Sequence, residues 1–315
     1  MDRRDFFKTG SLAALGGTFL GNLGGHETAP GLEARMLGHT GHYRSVVTLG
    51  GIVVMNEDQD AVDRLVDDAI DAGVNGVDVA PSYGDAELKL GHALRGKRDL
   101  VFLGCKTGLR DKAGAAAELR RSLERLETDR FDLYQFHGLD KPEELEQVLG
   151  PDGALEAVLE AKAEGLVRFI GLTGHRPDTL MTALQRFEFD TVMFPYNFIL
   201  NHHGYGEDLL QDAWARGVGI LAIKPIAARR WEEGEARPQP KCWYKPFATN
   251  HEISLAVRWV LGQRVSTIIP SGDMTLFRRA LKAAQHNSPL LDAERLELER
   301  KAAEFAPLFD AHPPA

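Results

Sequence analysis

The chain has few cysteines and carries more acidic than basic residues. Cys105 and Cys242 are its only cysteines among 315 residues, and no Cys-x-x-Cys pair occurs. Two thiols cannot form a disulfide framework or a four-thiolate metal site, and we expect no bridge between them. Lys and Arg number 37 against 46 Asp and Glu, a net charge of −9. This balance argues against nucleic acid or an anionic membrane surface as the main partner.

The chain also lacks an apolar run long enough to cross a bilayer, so we expect no stable membrane insertion. Arg3-Arg4, two phenylalanines and Lys8 precede a short apolar stretch rich in glycine and alanine, from Ser11 to Leu23. This order resembles a twin-arginine (Tat) export signal, although no Ala-x-Ala cleavage site follows. The resemblance implies export to the bacterial periplasm by the Tat machinery, with residues 1–34 as a disordered or cleaved leader and residues 35–315 as the folded domain. A disordered basic tail is the alternative.

No glycine-rich dinucleotide fingerprint follows an early strand, which argues against an open doubly wound sheet. After a predicted hairpin of Arg35–Gly38 and Tyr43–Val46, strand and helix patterns alternate to the end of the chain. Eight strand–helix units without hairpins between them predict an α/β fold, a closed (β/α)8 TIM barrel with an N-terminal β-hairpin and an extra C-terminal helix. The predicted strands cover 46–54, 76–80, 100–106, 131–137, 168–171, 191–194, 219–224 and 266–269.

Four proton-handling residues follow consecutive strands of the predicted barrel. Asp78 and Tyr83 come after the second strand, Lys106 ends the third strand, and His137 ends the fourth. The carboxyl ends of barrel strands form the active face of such folds. Each residue has a structural explanation by itself, as a capping carboxylate, a solvated lysine or a hydrogen-bonded core histidine. Together they indicate a catalytic site.

These residues resemble the motifs of the aldo-keto reductases: Asp78-x4-Tyr83, the strand-end Lys106, and the run Leu-Tyr-Gln-Phe before His137. The resemblance covers nearly all of the chain after the leader. It implies reduction of a small carbonyl substrate by NAD(P)H, or oxidation of the matching alcohol. Tyr83 would donate the proton, Lys106 would lower the pKa of Tyr83, Asp78 would hold Lys106, and His137 would orient the carbonyl.

The residues expected at the cofactor differ from that family's pattern. Thr173-Gly174 stands where the family has Ser-Asn, Met193 stands where it has a glutamine, and Ile223 replaces a stacking tyrosine. NADP is the first expectation, with NAD possible. The candidate cofactor residues are Thr173 for the carboxamide, Asn197 as an amide substitute, Lys224 for the pyrophosphate, Ser271 and Gly272 at a helix N-terminus, and Arg278 (or Arg279) for a 2′-phosphate.

Residues 229–247 form a long insertion, which we interpret as a loop over the active face. His202-His203 has no converging carboxylate or thiol, so we expect no metal site. Two further functions stay open. One is a module that binds the nucleotide without turnover. The other is a non-redox lyase or isomerase that uses Lys106 as a Schiff base.

Overall fold

The computed structural model describes residues 31–310. The predicted leader therefore lies outside the described residues, except for its last four positions. In chain order the strands are β1 (Ala34–Met36), β2 (Tyr43–Ser45), β3 (Leu49–Gly50), β4 (Gly76–Asp78), β5 (Phe102–Thr107), β6 (Phe131–Phe136), β7 (Val167–Thr173), β8 (Thr191–Pro195), β9 (Gly219–Ile223), β10 (Ala227–Arg230), β11 (Tyr244–Pro246) and β12 (Thr267–Ile269).

Helices follow the strands as the alternating pattern predicts. In chain order they are α1 (Gln59–Asp71), α2 (Ala86–Ala93), α3 (Lys112–Arg125), α4 (Pro142–Leu149), α5 (Ala154–Ala163), α6 (Pro177–Arg186), α7 (Phe198–His202), α8 (Glu207–Ala215), α9 (Asn250–Leu261), α10 (Met274–Gln285) and α11 (Asp292–Glu304). Side chains in the sequence set several helix starts. Asp58 and Asp111 accept N–H bonds in the first turns of α1 and α3, and Thr249 with Glu252 forms a capping box on α9.

Eight parallel strands form the barrel, in the order β3 to β9 and then β12. The chain segment before β3 closes the ring against β12. Thr48 donates its backbone N–H to the carbonyl of Ile268 at 2.9 Å, and Ile268 donates to the carbonyl of Val46 at 2.9 Å. The predicted (β/α)8 barrel is therefore confirmed, together with the antiparallel hairpin β1–β2 and the C-terminal helix α11.

Some local predictions were wrong. The strand predicted at 46–54 contains only the two residues of β3 and continues as a 3₁₀ turn, Gly51–Val53. The turn packs closely on the neighbouring strand, because a Cβ atom at Gly51 would lie 2.7 Å from Cγ2 of Val79. The insertion at 229–247 is also not a simple loop, since β10, which begins just before it at Ala227, pairs with β11 as an antiparallel hairpin. Helices α4 and α7 were not predicted.

The hairpin β1–β2 closes the N-terminal end of the barrel with an apolar plug. Leu37 is fully buried and belongs to a small cluster inside the barrel, together with Phe102, Leu133, Met193, Leu221 and Ile269. Gly38 follows at φ +54°, where an added Cβ would lie 2.3 Å from the backbone nitrogen of Gly219. Only glycine allows this approach. A larger apolar layer fills the space between the barrel and its helices. Within residues 31–310, no helix is long and apolar enough to cross a membrane.

Replacement of Leu37 by alanine should destabilise the barrel by about 2–5 kcal/mol, because it leaves a cavity under the interior cluster. Met36→Ala is the matched control, since Met36 is 43% exposed. Urea unfolding followed by circular dichroism measures both variants. If both variants lost the same free energy of unfolding, Leu37 would not act as a plug.

Candidate active site

The four predicted catalytic side chains come together at the carboxyl-terminal mouth of the barrel. Asp78 ends β4, Tyr83 lies in the loop before α2, Lys106 lies near the end of β5, and His137 directly follows β6. Asp78 and Lys106 are buried, with side-chain exposures of 3% and 0%. Tyr83 and His137 are partly exposed and line a cavity.

A buried ion pair lies beneath the tyrosine. Lys106 Nζ donates to Asp78 Oδ2 and, at 3.0 Å, to the carbonyl of Val79. Gln135 Nε2 donates to the other oxygen, Asp78 Oδ1, at 2.7 Å. Both carboxylate oxygens therefore have donors, as a buried charge requires. The ammonium also lies 5.1 Å from the centre of the Tyr83 ring.

The protonation states of Lys106 and Tyr83 follow from burial and from each other. Burial lowers the pKa of Lys106, but the charges of Asp78 and Tyr83 outweigh that effect, and the pKa is raised above its ordinary value. Burial raises the pKa of Tyr83, and the nearby Lys106 only partly offsets this. The pKa of Tyr83 is therefore not lowered, contrary to the expectation, because desolvation of the phenolate outweighs the attraction of the ammonium. Tyr83 is protonated at neutral pH.

His137 lies against Tyr83 on the cavity wall. The two rings are perpendicular, with centroids 5.7 Å apart and an interplanar angle of 85°. Burial, followed by the charge of Lys106, lowers the pKa of His137 to about 3. The imidazole is therefore neutral at physiological pH. It can donate one hydrogen bond but carries no charge.

Two polar residues near this group were not among the predicted site residues. Gln135 stood within the quoted strand motif, and its role appears only from the contact with Asp78. Arg44 of β2 is fully buried near the N-terminal ends of the barrel strands, where Nε donates to Thr48 Oγ1 at 3.0 Å and the guanidinium lies 4.9 Å from the Phe102 ring centre. Burial lowers the pKa of Arg44 to about 10, and Asp78 and Asp132 oppose this. A strand pattern by itself did not indicate a buried arginine.

The cavity has a volume of about 230 Å³ and extends from β3 to β12 across the mouth of the barrel. Four predicted cofactor residues line it: Thr173, Lys224, Ser271 and Gly272. Thr173 Oγ1 accepts the backbone N–H of Gly138 at 3.0 Å, which leaves its hydroxyl hydrogen free to donate. The sequence did not point to His175, which also lines the cavity.

Two other predicted cofactor residues do not line this cavity. Asn197 is buried and fully engaged, because its side-chain oxygen accepts from Leu200 N at 2.9 Å and its nitrogen donates to the carbonyl of Lys224 at 3.0 Å. It ties the start of α7 to the end of β9. Arg278 instead donates to Asp68 at 3.3 Å, on an exposed surface of α1.

The insertion covers one side of the cavity and is held by polar contacts. Lys241 Nζ donates to the carbonyl of Val53 at 2.7 Å and to Glu57 Oε1 at 2.6 Å. Tyr244 and Ser271 share a hydrogen bond of 2.9 Å between their hydroxyl groups. The hairpin β10–β11 therefore connects the end of β9 with the segments that follow β3 and β12.

The start of α10 is less open to a phosphate than the sequence indicated. Asp273 Oδ1 accepts the backbone N–H of Leu276 at 2.9 Å, so this carboxylate occupies one of the amides at the helix N-terminus. In the described part of the chain, no group of three or more His, Cys, Asp or Glu side chains is arranged to hold a metal ion. His203 Nε2 instead lies 3.0 Å from the carbonyl oxygen of Phe305.

Replacement of Lys106 by methionine should destabilise the fold by about 3–5 kcal/mol, because Asp78 is left charged and buried without its partner. Lys141→Met is the control, since the Lys141 side chain is 64% exposed and its loss should cost no more than about 1 kcal/mol. A second substitution, Asp78→Asn, should recover part of the stability lost in Lys106→Met. Urea unfolding of the wild type, the two single variants and the double variant tests this, and a double variant less stable than Lys106→Met would contradict it.

Comparison with known proteins agrees with the geometry. The model of the Aldo/keto reductase family matches residues 47–285. The uncharacterized oxidoreductase YqkF of Bacillus subtilis is 28% identical over 210 residues, 62% of this chain and 65% of that protein. L-galactose dehydrogenase of Arabidopsis thaliana is 32% identical over 219 residues, 62% of this chain and 66% of that protein. These matches therefore span slightly less than two thirds of either relative.

A solved structure extends the similarity to the whole barrel. The holo form of aldo-keto reductase AKR11C1 from Bacillus halodurans aligns with a TM-score of 0.67 and 25% identity, covering 86% of this chain and 96% of that chain. The family match includes the strands that carry Asp78, Lys106 and His137. This chain therefore belongs to the aldo/keto reductase family of NAD(P)-dependent oxidoreductases.

Proposed function

We propose that this enzyme reduces the carbonyl group of a small aldehyde, ketone or sugar derivative, or oxidises the matching alcohol, with Tyr83 as the proton donor. The observation that carries the proposal is the position of Tyr83. Its ring lies beside the buried Lys106–Asp78 pair and against His137, while the residue itself lines the cavity. This set places a protonated hydroxyl, a fixed positive charge and a neutral hydrogen-bond donor around one cavity.

The chemistry follows from where charge develops. A nicotinamide dinucleotide, when bound, supplies the hydride. Negative charge then grows on the carbonyl oxygen, and Tyr83 can transfer its proton to that oxygen. Lys106 stabilises the phenolate that Tyr83 becomes, and Asp78 keeps the ammonium charged and in place. The neutral imidazole of His137 can donate a hydrogen bond to the same oxygen and orient the carbonyl.

The lining of the cavity fits a nicotinamide dinucleotide. Thr173 has a free hydroxyl hydrogen for the carboxamide, and Met193 and Ile223 offer an apolar wall for a flat ring. Gly272 lies close to the turn after β3, since an added Cβ would approach Cγ2 of Ile52 to 2.3 Å. We assign the nucleotide side of the cavity to Thr173, Ser271 and Gly272.

The choice between the two dinucleotides depends on charge near α10. NADP was expected from the family resemblance, with Arg278 on the 2′-phosphate. Arg278 pairs with Asp68, Arg279 donates to the carbonyl of Ala248 at 2.7 Å, and Asp273 places negative charge at the helix start. These partners favour NAD(H) over NADP(H), because the additional phosphate needs a cation that is free to bind it. Fluorescence titration with NADH and NADPH compares the two affinities directly.

The alternatives have less support. A Schiff base on Lys106 requires a free amine facing the cavity, whereas this ammonium is fully buried and bonded to Asp78 and Val79. A silent nucleotide-binding module has no need for a buried cation beside a protonated tyrosine. Single-turnover hydride transfer separates the enzyme from the silent module.

Replacement of Tyr83 by phenylalanine should lower kcat by about 10²–10⁴-fold and leave nucleotide affinity unchanged, because only proton transfer is removed. Tyr43→Phe is the control, since Tyr43 is 50% exposed at the far end of the barrel. Steady-state reduction of a panel of carbonyl compounds measures kcat. A Tyr83→Phe enzyme with full activity would rule out the proposed proton donor.

We also propose that the protein is exported by the Tat route with its nucleotide already bound. The leader motif motivates export, and free nucleotide is scarce outside the cytoplasm. The anchored insertion supports tight retention, since Lys241 ties it across the cavity to Val53 and Glu57.

Nucleotide should therefore be released when the purified protein is denatured. The nucleotide should dissociate from the Lys241→Met variant about tenfold faster than from the wild-type protein, because charge-assisted hydrogen bonds that hold the insertion are lost. Lys245→Met is the control, since Lys245 pairs with Glu235 inside the insertion. Chromatography of the supernatant detects the nucleotide, and fractionation of cells carrying Arg3→Lys with Arg4→Lys tests export. Wild-type protein without nucleotide would refute retention, and unchanged export of the double variant would refute the Tat route.

A further inference from the structure

Lys224, at the end of β9, is held in an unusual backbone conformation. Its φ is +59°, in the left-handed region that favours glycine, although it carries a long side chain. Two hydrogen bonds to its carbonyl hold this conformation, from Asn197 Nδ2 at 3.0 Å and from Ala227 N at 3.2 Å. Strain of this kind is typical of functional sites. Glycine would remove the strain, so what lysine adds at this position is its ammonium group.

The ammonium turns toward the end of β7 and lies among aromatic rings. Lys224 Nζ is 3.3 Å from His175 Nε2, and it lies 5.7 and 5.6 Å from the ring centres of Trp243 and Phe309. His175 is itself held in place, because Asp140 accepts its backbone N–H and lies 3.1 Å from its Nδ1. Asp140, His175 and Lys224 are therefore in contact one after the other, and His175 and Lys224 line the cavity.

Lys224 differs from the other lysines of this region in having no anionic partner. Lys241 is paired with Glu57, and Lys106 is paired with Asp78. Among residues 31–310, no carboxylate lies within ion-pair distance of Lys224, although the residue is only 9% exposed. A buried ammonium without a counter-charge is costly, and a bound anion would supply the missing charge.

We propose that Lys224, supported by His175, binds the carboxylate of the substrate, so that the enzyme prefers aldehydes or ketones that also carry an acid group. This proposal rests on the carbonyl reduction proposed above. His175 and Lys224 line the same cavity as Tyr83 and His137, so one small molecule in that cavity can contact both pairs. A carboxylate there and a carbonyl at Tyr83 and His137 would belong to one small molecule.

The protonation of Lys224 makes this binding depend on pH. Burial lowers the pKa of Lys224 to about 7, and Asp140 partly offsets this. The groups beside the ammonium are His175, Trp243 and Phe309, and Asp140 lies on the far side of the His175 ring. A bound carboxylate favours the charged ammonium and raises its pKa. Carboxylate affinity should therefore fall as pH rises through about 7, with proton uptake on binding above that value.

The first experiment measures binding without turnover. Trp243 lies beside the ammonium, so wild-type protein is titrated with butyrate, and with butyramide as the neutral control, by tryptophan fluorescence at about pH 6 and about pH 9. We expect butyrate to bind at least about tenfold more tightly at the lower pH and butyramide to show no such dependence. Failure of butyrate to bind, or equal binding of both probes, would overturn the proposal.

The second experiment compares two aldehydes that differ in one acid group, succinic semialdehyde and butyraldehyde. Wild-type enzyme should prefer the acid aldehyde by at least about tenfold in kcat/KM. The preference should disappear in Lys224→Met and largely persist in Lys224→Arg, while Lys245→Met, outside the cavity lining, keeps the wild-type ratio. If Lys224→Met does not fold, Lys224→Gln provides the same loss of charge with a polar side chain.

The nucleotide is the other source of an anion at this position, and the same variants distinguish it. If Lys224→Met raises the Kd of the nucleotide about tenfold and leaves the ratio between the two aldehydes unchanged, the cation serves a nucleotide phosphate and the proposal is overturned. If neither aldehyde is reduced by the wild-type enzyme, the fluorescence titration still reports the carboxylate site. Loss of the redox function is therefore distinguishable from loss of this site.

Discussion

The buried ion pair between Lys106 and Asp78 is the interaction on which the site depends. Neither charge could remain inside the barrel alone, because each would lose its hydration without compensation. The pair therefore requires Gln135 and the carbonyl of Val79 as additional partners. It also requires the parallel register in which Asp78 faces Gly104, where a Cβ would approach the carboxylate to 3.1 Å. The barrel thus holds Asp78, Gln135 and the Val79 carbonyl in the positions that keep Lys106 charged beneath Tyr83.

Lys106 and Lys224 lie near the same cavity, but their different neighbours shift their pKa values in opposite directions. Both are buried, which disfavours the charged form of each. Asp78 reverses this for Lys106, whose pKa is raised, whereas Asp140 lies behind His175 and offsets it only in part for Lys224, whose pKa falls to about 7. Lys106 is thus a permanent charge for stabilising the phenolate. Lys224 can gain its charge when an anion binds.

Much of the fold was predictable because helices and strands of a barrel are local and periodic. The strands predicted at 131–137 and 191–194 differ from β6 and β8 by one residue each. The length of β3 was overestimated because the apolar run continues beyond the strand. The closely packed turn that begins at Gly51 ends the strand, although the residues after it are still apolar. The hairpin β10–β11 was missed because its residues are held by contacts with distant segments, such as that between Tyr244 and Ser271.

The sequence by itself determined the barrel and the order of Asp78, Tyr83, Lys106 and His137, because parallel strands place residues at consecutive strand ends on one face. Only the tertiary structure decided what single polar residues do. Asn197 and Arg278 were assigned to the cofactor, yet their partners, Lys224 and Asp68, are 27 and 210 residues away in the chain. His175 gains its importance from Lys224, 49 residues later. Burial and charge at a side chain are set by such distant neighbours, which no local pattern contains.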